Sequence, residues 1–361
     1  MWPDRRILDL FGVELPILQA PMAGSSDAAI AIEVARAGGL GALACAMWSP
    51  DQVRAQLGIF RQQSARPVNL NFFTHRTPAV DPQREAGWVQ RLSAYYRELG
   101  LEPPALPGAA ARLPFDAAYC ELLEELRPQV VSFHFGLPDA TLLRRVKDTG
   151  AKLISSATTV AEARRLEDGG CDAVIAQGVE AGGHRGMFLD SDIAAQVGTM
   201  ALLPQVVDAV SVPVIAAGGI ADARGVVAAL ALGAAAVQIG TAYLHCAEST
   251  VSAVHRAALA AARGDQTVLT NVYTGRPARG IVNRLIREAG PMSPDAPAFP
   301  GAAPAVVPLR AAAEQRGSGD FSPLWAGQAV ALRHALGAGE LTRTLARDTL
   351  QLLARLSTPS G

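Results

Sequence analysis

The sequence predicts an α/β fold of the (β/α)8 TIM-barrel class, with an insertion after the third strand and a C-terminal helical extension. Three observations predict it. Eight short apolar runs recur along the chain, each ending in Gly, Pro, Asn or Ser and leading into a helix-like segment. The runs are near-continuous rather than alternating, as parallel strands covered on both faces must be. No G-x-G-x-x-G follows the first run, which disfavours an open doubly wound sheet, and eight parallel strands with right-handed crossovers close most economically into a barrel of about 250 residues.

In order, the runs are PILQAPM (16–22), GALACA (41–46), PVNLNFF (67–73), VVSFHFG (130–136), KLISSA (152–157), DAVIAQG (172–178), PVIAAGG (213–219) and AAVQIGT (235–241). Between the first two, GGLG from Gly38 to Gly41 reads as a helix stop. Ser49-Pro50-Asp51 reads as an N-cap with Pro at the first helical position. Asp139 and Thr158 are expected to cap the segments ATLLRRVKDTG and TVAEARRLEDGG, which both stop at glycine. Residues 76–118, with WVQRLSAYYREL at their middle, exceed the barrel as a partly helical insertion. Residues 1–246 are read as the barrel and residues 247–361 as an extension packing on it, either over one end or as a small lid.

Composition narrows the function. With 361 residues, half of them hydrophobic, the chain can bury one large core with additions or two modest ones. Lys and Arg total 32 against 33 Asp and Glu, without a run of one sign, so neither a nucleic-acid footprint nor an acidic-membrane patch is expected. The partner is a small molecule. Cys45, Cys120, Cys171 and Cys246 form no CxxC pair and suit reduced thiols better than a disulfide frame or a zinc site. The opening MWPDRRILDLFGVELP lacks a signal-peptide core and no apolar run spans a bilayer, so a cytoplasmic protein is expected.

Barrel chemistry gathers at the C-terminal ends of the strands. There Gly218-Gly219 and Gly240-Thr241 offer backbone N–H groups to an anion; either pair alone suits a tight turn, but both together, on strands seven and eight, favour a phosphate. Asn71 and Gln177 offer the donors and acceptors that a planar heterocycle needs, and Met22 can pack on its face, although each also suits a barrel-mouth cap. In VEAGGHRG, Gly182 and Gly183 let the loop above strand six lie close to a ligand and present His184 to it. A metal is not expected: Glu180 and His184 would need a helix that the glycines oppose. His134, between Phe133 and Phe135, suits a buried or a catalytic role equally, whereas His75, His245, His255 and His334 read as structural or surface residues.

The motifs LQAPMAG, NLNFF, VVSFHFG, GCDAVIAQGVEAGGHRG, PVIAAGGIADARG, VQIGTAYL and TGRPARGIVNRL resemble those of the nitronate monooxygenase family, formerly the 2-nitropropane dioxygenases, from about residue 14 to residue 285. The resemblance implies a barrel holding FMN without a covalent link and oxidising alkyl nitronates with O2 to a carbonyl compound and nitrite. It implies Asn71, Gln177, Gly182, Gly219 and Gln238, Ile239, Gly240 and Thr241 as flavin contacts, His184 as the active-site base and His134 as a nearby substrate contact. Where relatives carry tyrosines and a lysine, APAFPGAAPAVVPLR offers only Phe299, which leaves the substrate open between alkyl nitronate and nitroalkane. Two alternatives stand beside it: an NAD(P)H-dependent flavin enoyl-acyl carrier protein reductase, which shares EAGGH, and a non-catalytic flavin-binding protein. A homodimer is left open.

Overall fold

The computed structural model describes residues 2–104 and 113–357. Residues 105–112 of the expected insertion lie outside them. Each of the eight apolar runs forms a strand: β1 Ile17–Gln19, β2 Gly41–Ala44, β3 Val68–Phe73, β4 Val130–His134, β5 Lys152–Ala157, β6 Ala173–Gln177, β8 Val214–Ala217 and β9 Ala236–Ile239. They pair in parallel in the order β1-β9-β8-β6-β5-β4-β3-β2. The ring is closed between its two ends by Leu40 N–H to Ile17 O at 3.0 Å and Gln19 N–H to Leu40 O at 2.9 Å. The structure is therefore a (β/α)8 barrel.

The ninth extended pair, β7 Gly183–His184, belongs to a separate antiparallel sheet with β10 Thr267–Thr270 and β11 Ala278–Ile281. The stretch expected as a loop is thus partly a strand, because residues far downstream supply hydrogen-bonding partners that local sequence cannot show.

Caps set the helix starts. Ser49 and Gln52 form a reciprocal capping box before Pro50–Gln63, and Asp139 accepts from the Thr141 and Leu142 amides. The cap of Val160–Asp168 is Thr159 rather than Thr158: extended at Thr159, the backbone lets its hydroxyl accept from Glu162 N–H, while buried Thr158 turns its hydroxyl to the Glu162 carboxylate.

After β9 only the single turn Thr241–Leu244 follows, too short to cover a strand. Helix Ala338–Ser357 fills the gap, packing between Ala28–Arg36 and Ala223–Ala231. Leu341 and Leu345 enter the main core, and a fully buried hydrogen bond of 2.7 Å joins Tyr243 OH to Thr342 Oγ1. No described helix is long and apolar enough to cross a membrane.

A second core lies beyond the barrel. Trp88, Leu92 and Tyr96 of helix Pro82–Leu99 pack on Val306 and Leu309 of helix Ala303–Gln315, with Leu285 and Phe321. Tyr96 OH donates to Ala305 O at 2.7 Å. The insertion and the C-terminal segment therefore build one cap together, which sends Phe299 and Trp325 to within 5.4 and 5.6 Å of the His184 ring.

Candidate active site

A solvent-connected cleft of about 1300 Å³ opens among the C-terminal strand ends. Met22, Asn71, His134, Gln177, Gly182, Gly183, His184, Gly218, Gly219, Gln238, Gly240 and Thr241 all line it. Ile239 does not. Side chains alternate along a strand, so where Gln238 faces the cleft, Ile239 turns into the core and is fully buried there.

The segment after β6 is fastened to the barrel by its own polar groups. Arg185, buried completely, donates to Gln177 O at 2.7 Å, Gly178 O at 2.6 Å and Gln196 Oε1 at 2.9 Å. Burial lowers its guanidinium to about 10. Gln177 Nε2 donates to His184 O at 3.0 Å while its Oε1 accepts from Gly186 N–H at 2.7 Å. The Glu180 carboxylate accepts from Thr199 N–H and Oγ1, supplying the anion that helix Thr199–Ala209 lacks at its Gly198 cap. Gly182 is required by close approach, since a Cβ there would lie 2.6 Å from Gly327 N. Gly183 is required by conformation, at φ +71°.

His184 is presented from β7 with its Nε2 3.0 Å from Thr274 Oγ1. Phe73, Phe135, Phe299 and Trp325 surround the ring at centroid distances from 5.4 to 6.1 Å. His134 has both nitrogens engaged: Nε2 faces His184 O at 3.2 Å and Nδ1 faces Ser156 Oγ at 3.1 Å. A carbonyl only accepts, so the proton sits on Nε2 and Nδ1 accepts from Ser156. Burial, reinforced by the Arg276 charge, pushes this imidazole down to about 3, so His134 is neutral.

On the polar wall, Asn71 Nδ2 donates to Ser132 Oγ at 2.8 Å. Gln238 Oε1 is sealed from solvent without a hydrogen-bond partner. Thr241 Oγ1 accepts from Gly327 N–H at 2.9 Å. No group of three potential metal ligands occurs among the described residues.

Sequence reasoning placed Ser132 with His134 at the end of the fourth strand, where it lines the cleft, but missed Ser156, Thr274 and Trp325. Ser156 sits at the end of β5 like the residues singled out on the other strands, so position alone could have found it. Trp325 had a signal, a lone Trp between Pro and Gly in SPLWAGQ. Thr274 opens the motif TGRPARGIVNRL, but nothing in the motif shows that pairing of β11 with β7 brings it to His184.

The sequence model of the family described as nitronate monooxygenase matches residues 4–348. The chain belongs to the nitronate monooxygenase family. As a member it is an enzyme and an oxidoreductase. It is 43% identical over 345 residues to a nitronate monooxygenase of Pseudomonas aeruginosa, covering 95% of this chain and 98% of the relative. A nitronate monooxygenase of Paraburkholderia phytofirmans is 40% identical, with 98% and 97% covered. Among solved structures, a nitroalkane oxidase from Streptomyces ansochromogenes superposes with a TM-score of 0.88 at 39% identity, over 98% of this chain and 100% of that one. FabK from Thermotoga maritima is more distant, with a TM-score of 0.72 at 26% identity over 99% of each chain.

Proposed function

We propose that this chain oxidises alkyl nitronates with dioxygen to a carbonyl compound and nitrite, using FMN held without a covalent link. The observation that carries the reading is His184, set by β7 into the glycine-lined cleft with its Nε2 fixed by Thr274. The residues fit the cofactor. Gln238 Oε1, buried and unpartnered, needs an N–H donor of the kind a flavin ring edge offers. Asn71 and Gln238 would meet that edge, and Met22 the ring face. Gly218, Gly219, Gly240 and Thr241 would take the phosphate, the first two at φ +115° and +73° with their backbone facing the cleft. Gln177 has its amide committed to His184 O and Gly186 N–H, so it shapes the wall. The chemistry FMN supplies when bound is electron transfer from the substrate carbon to dioxygen.

The protein's own contribution is a proton acceptor. Thr274 Oγ1 donates to Arg276 O at 3.4 Å and so accepts from His184 Nε2, which leaves the basic lone pair of the imidazole on Nδ1. From there His184 takes the proton from the carbon of a neutral nitroalkane, with Phe73, Phe299 and Trp325 packed around the ring. A preformed nitronate needs no such step.

The test is nitrite release and oxygen uptake with propyl-2-nitronate, together with the absorption spectrum of the purified protein. Flavin bands and stoichiometric nitrite are expected. Colourless protein, or flavin that NADH or NADPH bleaches anaerobically far faster than a nitronate does, would overturn the reading, the second outcome in favour of the reductase that the FabK likeness suggests.

A further inference from the structure

Three arginines surround the segment that carries His184, and none of them is in ion-pair contact with a carboxylate. Arg185 spends its donors on Gln177 O, Gly178 O and Gln196. Arg279 spends its own on Val179 O and Thr267 O. Both are buried staples of the main chain. Arg276 differs. One nitrogen donates to Met187 O, but Nε is sealed from solvent without a partner. Its guanidinium lies 3.9 Å from the centroid of the Phe135 ring.

Phe135 is itself unusual, a bulky side chain at φ +76°, a conformation that persists only where the surroundings enforce it. Its ring also lies 4.8 Å from Phe73, 5.5 Å from Phe299 and 5.9 Å from His184. Neither nearby acid makes an ion pair with Arg276: Glu162, whose charge reaches it only from a distance, accepts from Thr158 and from the Phe188 and Leu189 amides, and Glu180, which acts on Arg185 and Arg279, accepts from Thr199. The Arg276 charge is therefore not neutralised by contact, and it stands beside aromatic rings that screen it poorly.

Resting on the functional reading above, we propose that Arg276 is a positioning residue that makes the chamber beside His184 prefer the anionic, nitronate form of the substrate. It acts through Phe135, by field rather than by touch. A unit charge roughly 10 Å away at an effective dielectric of about 20 is worth on the order of a tenfold preference for an anion.

The test compares Arg276→Gln, which keeps a donor for Met187 O without the charge, with Arg276→Lys, which keeps the charge; Arg276→Met is the second neutral variant should the first not fold. KM and kcat are measured for propyl-2-nitronate and for neutral 2-nitropropane, and binding of nitrate, an unreactive planar anion, is followed by calorimetry. The neutral variant should raise the KM for nitronate and the Kd for nitrate about tenfold, with the KM for the nitroalkane unchanged and Lys restoring most of the loss. Equal changes for anionic and neutral substrates, or a Lys variant no better than Gln, would overturn the proposal and leave Arg276 as packing. If the wild type releases no nitrite, the functional reading fails, and the nitrate titration still decides the role of Arg276.

Discussion

His134 Nε2 lies 3.2 Å from the carbonyl oxygen of His184, so one histidine holds the main chain of the other. With its second nitrogen on Ser156 and its imidazole held neutral, His134 is suited to positioning rather than to proton transfer.

His134→Gln, which removes the Ser156 acceptor and loosens the grip on His184 O, should lower kcat/KM about fivefold to tenfold, the worth of roughly 1 kcal/mol of hydrogen bonding. Because the native imidazole is pushed down to about 3, the pH dependence between about 5 and 8 should keep its shape and lose only amplitude. A pH–rate series on both proteins checks this; a vanished inflection would restore His134 as an acid or base.

His184→Asn should keep the fold and the cofactor, because the proposed ring and phosphate contacts lie on other strands. Turnover of a neutral nitroalkane should fall about 10²- to 10⁴-fold, and that of a preformed nitronate much less. Parallel assays with the two substrates decide it, since equal losses would mean that His184 anchors charge rather than moves a proton.

Gly219→Val forces a β-branched side chain into φ +73° beside the Glu180 side chain, whose Cβ would be 3.5 Å away. Backbone strain of about 1–3 kcal/mol at a proposed phosphate contact should show as flavin lost on gel filtration from protein that remains folded by circular dichroism. Full retention of flavin would move the phosphate elsewhere.

The barrel strands were readable because parallel strands buried on both faces are written as contiguous apolar runs, and all eight were found, seven within two residues at each end and the first running three residues past Gln19. The cleft residues at strand ends were readable for the same reason: once a strand is placed, its last inward side chain is placed too. What stayed hidden depended on distant pairing. Nothing local to VEAGGHRG states that it borrows β11, and nothing in WVQRLSAYYREL states that Trp88 and Tyr96 share a core with residues two hundred positions on. Ile239 lies off the cleft for a simpler reason, as the strand's alternation turns it into the core while Gln238 faces the cleft.

A second buried histidine makes the cap sensitive to acid. His255 Nε2 meets Trp325 O at 3.1 Å, and burial pushes its imidazole down to about 4. The unfolded chain takes up a proton near pH 6.5 and the folded one does not until much lower, so the full contribution is present above about 6.5 and is lost as pH falls toward 4. Tm should fall between about pH 7 and 5, and less steeply in His255→Gln, which cannot take up the proton. Identical slopes would remove His255 from the account.

The helix that fills the barrel's outer ring beside β9 is encoded far downstream of that strand, after the whole cap. During synthesis the eight strands can be complete while one wall between Ala28–Arg36 and Ala223–Ala231 is still bare, exposing Ile30, Val34 and Val226 to whatever else is in the cell. Closure of the wall thus reports that the cap has already been made, and a ribosome stalled within residues 247–337 holds a sticky, unfinished barrel rather than a working one lacking an ornament. Seamless barrels with local eighth helices carry no such dependency on their own tails.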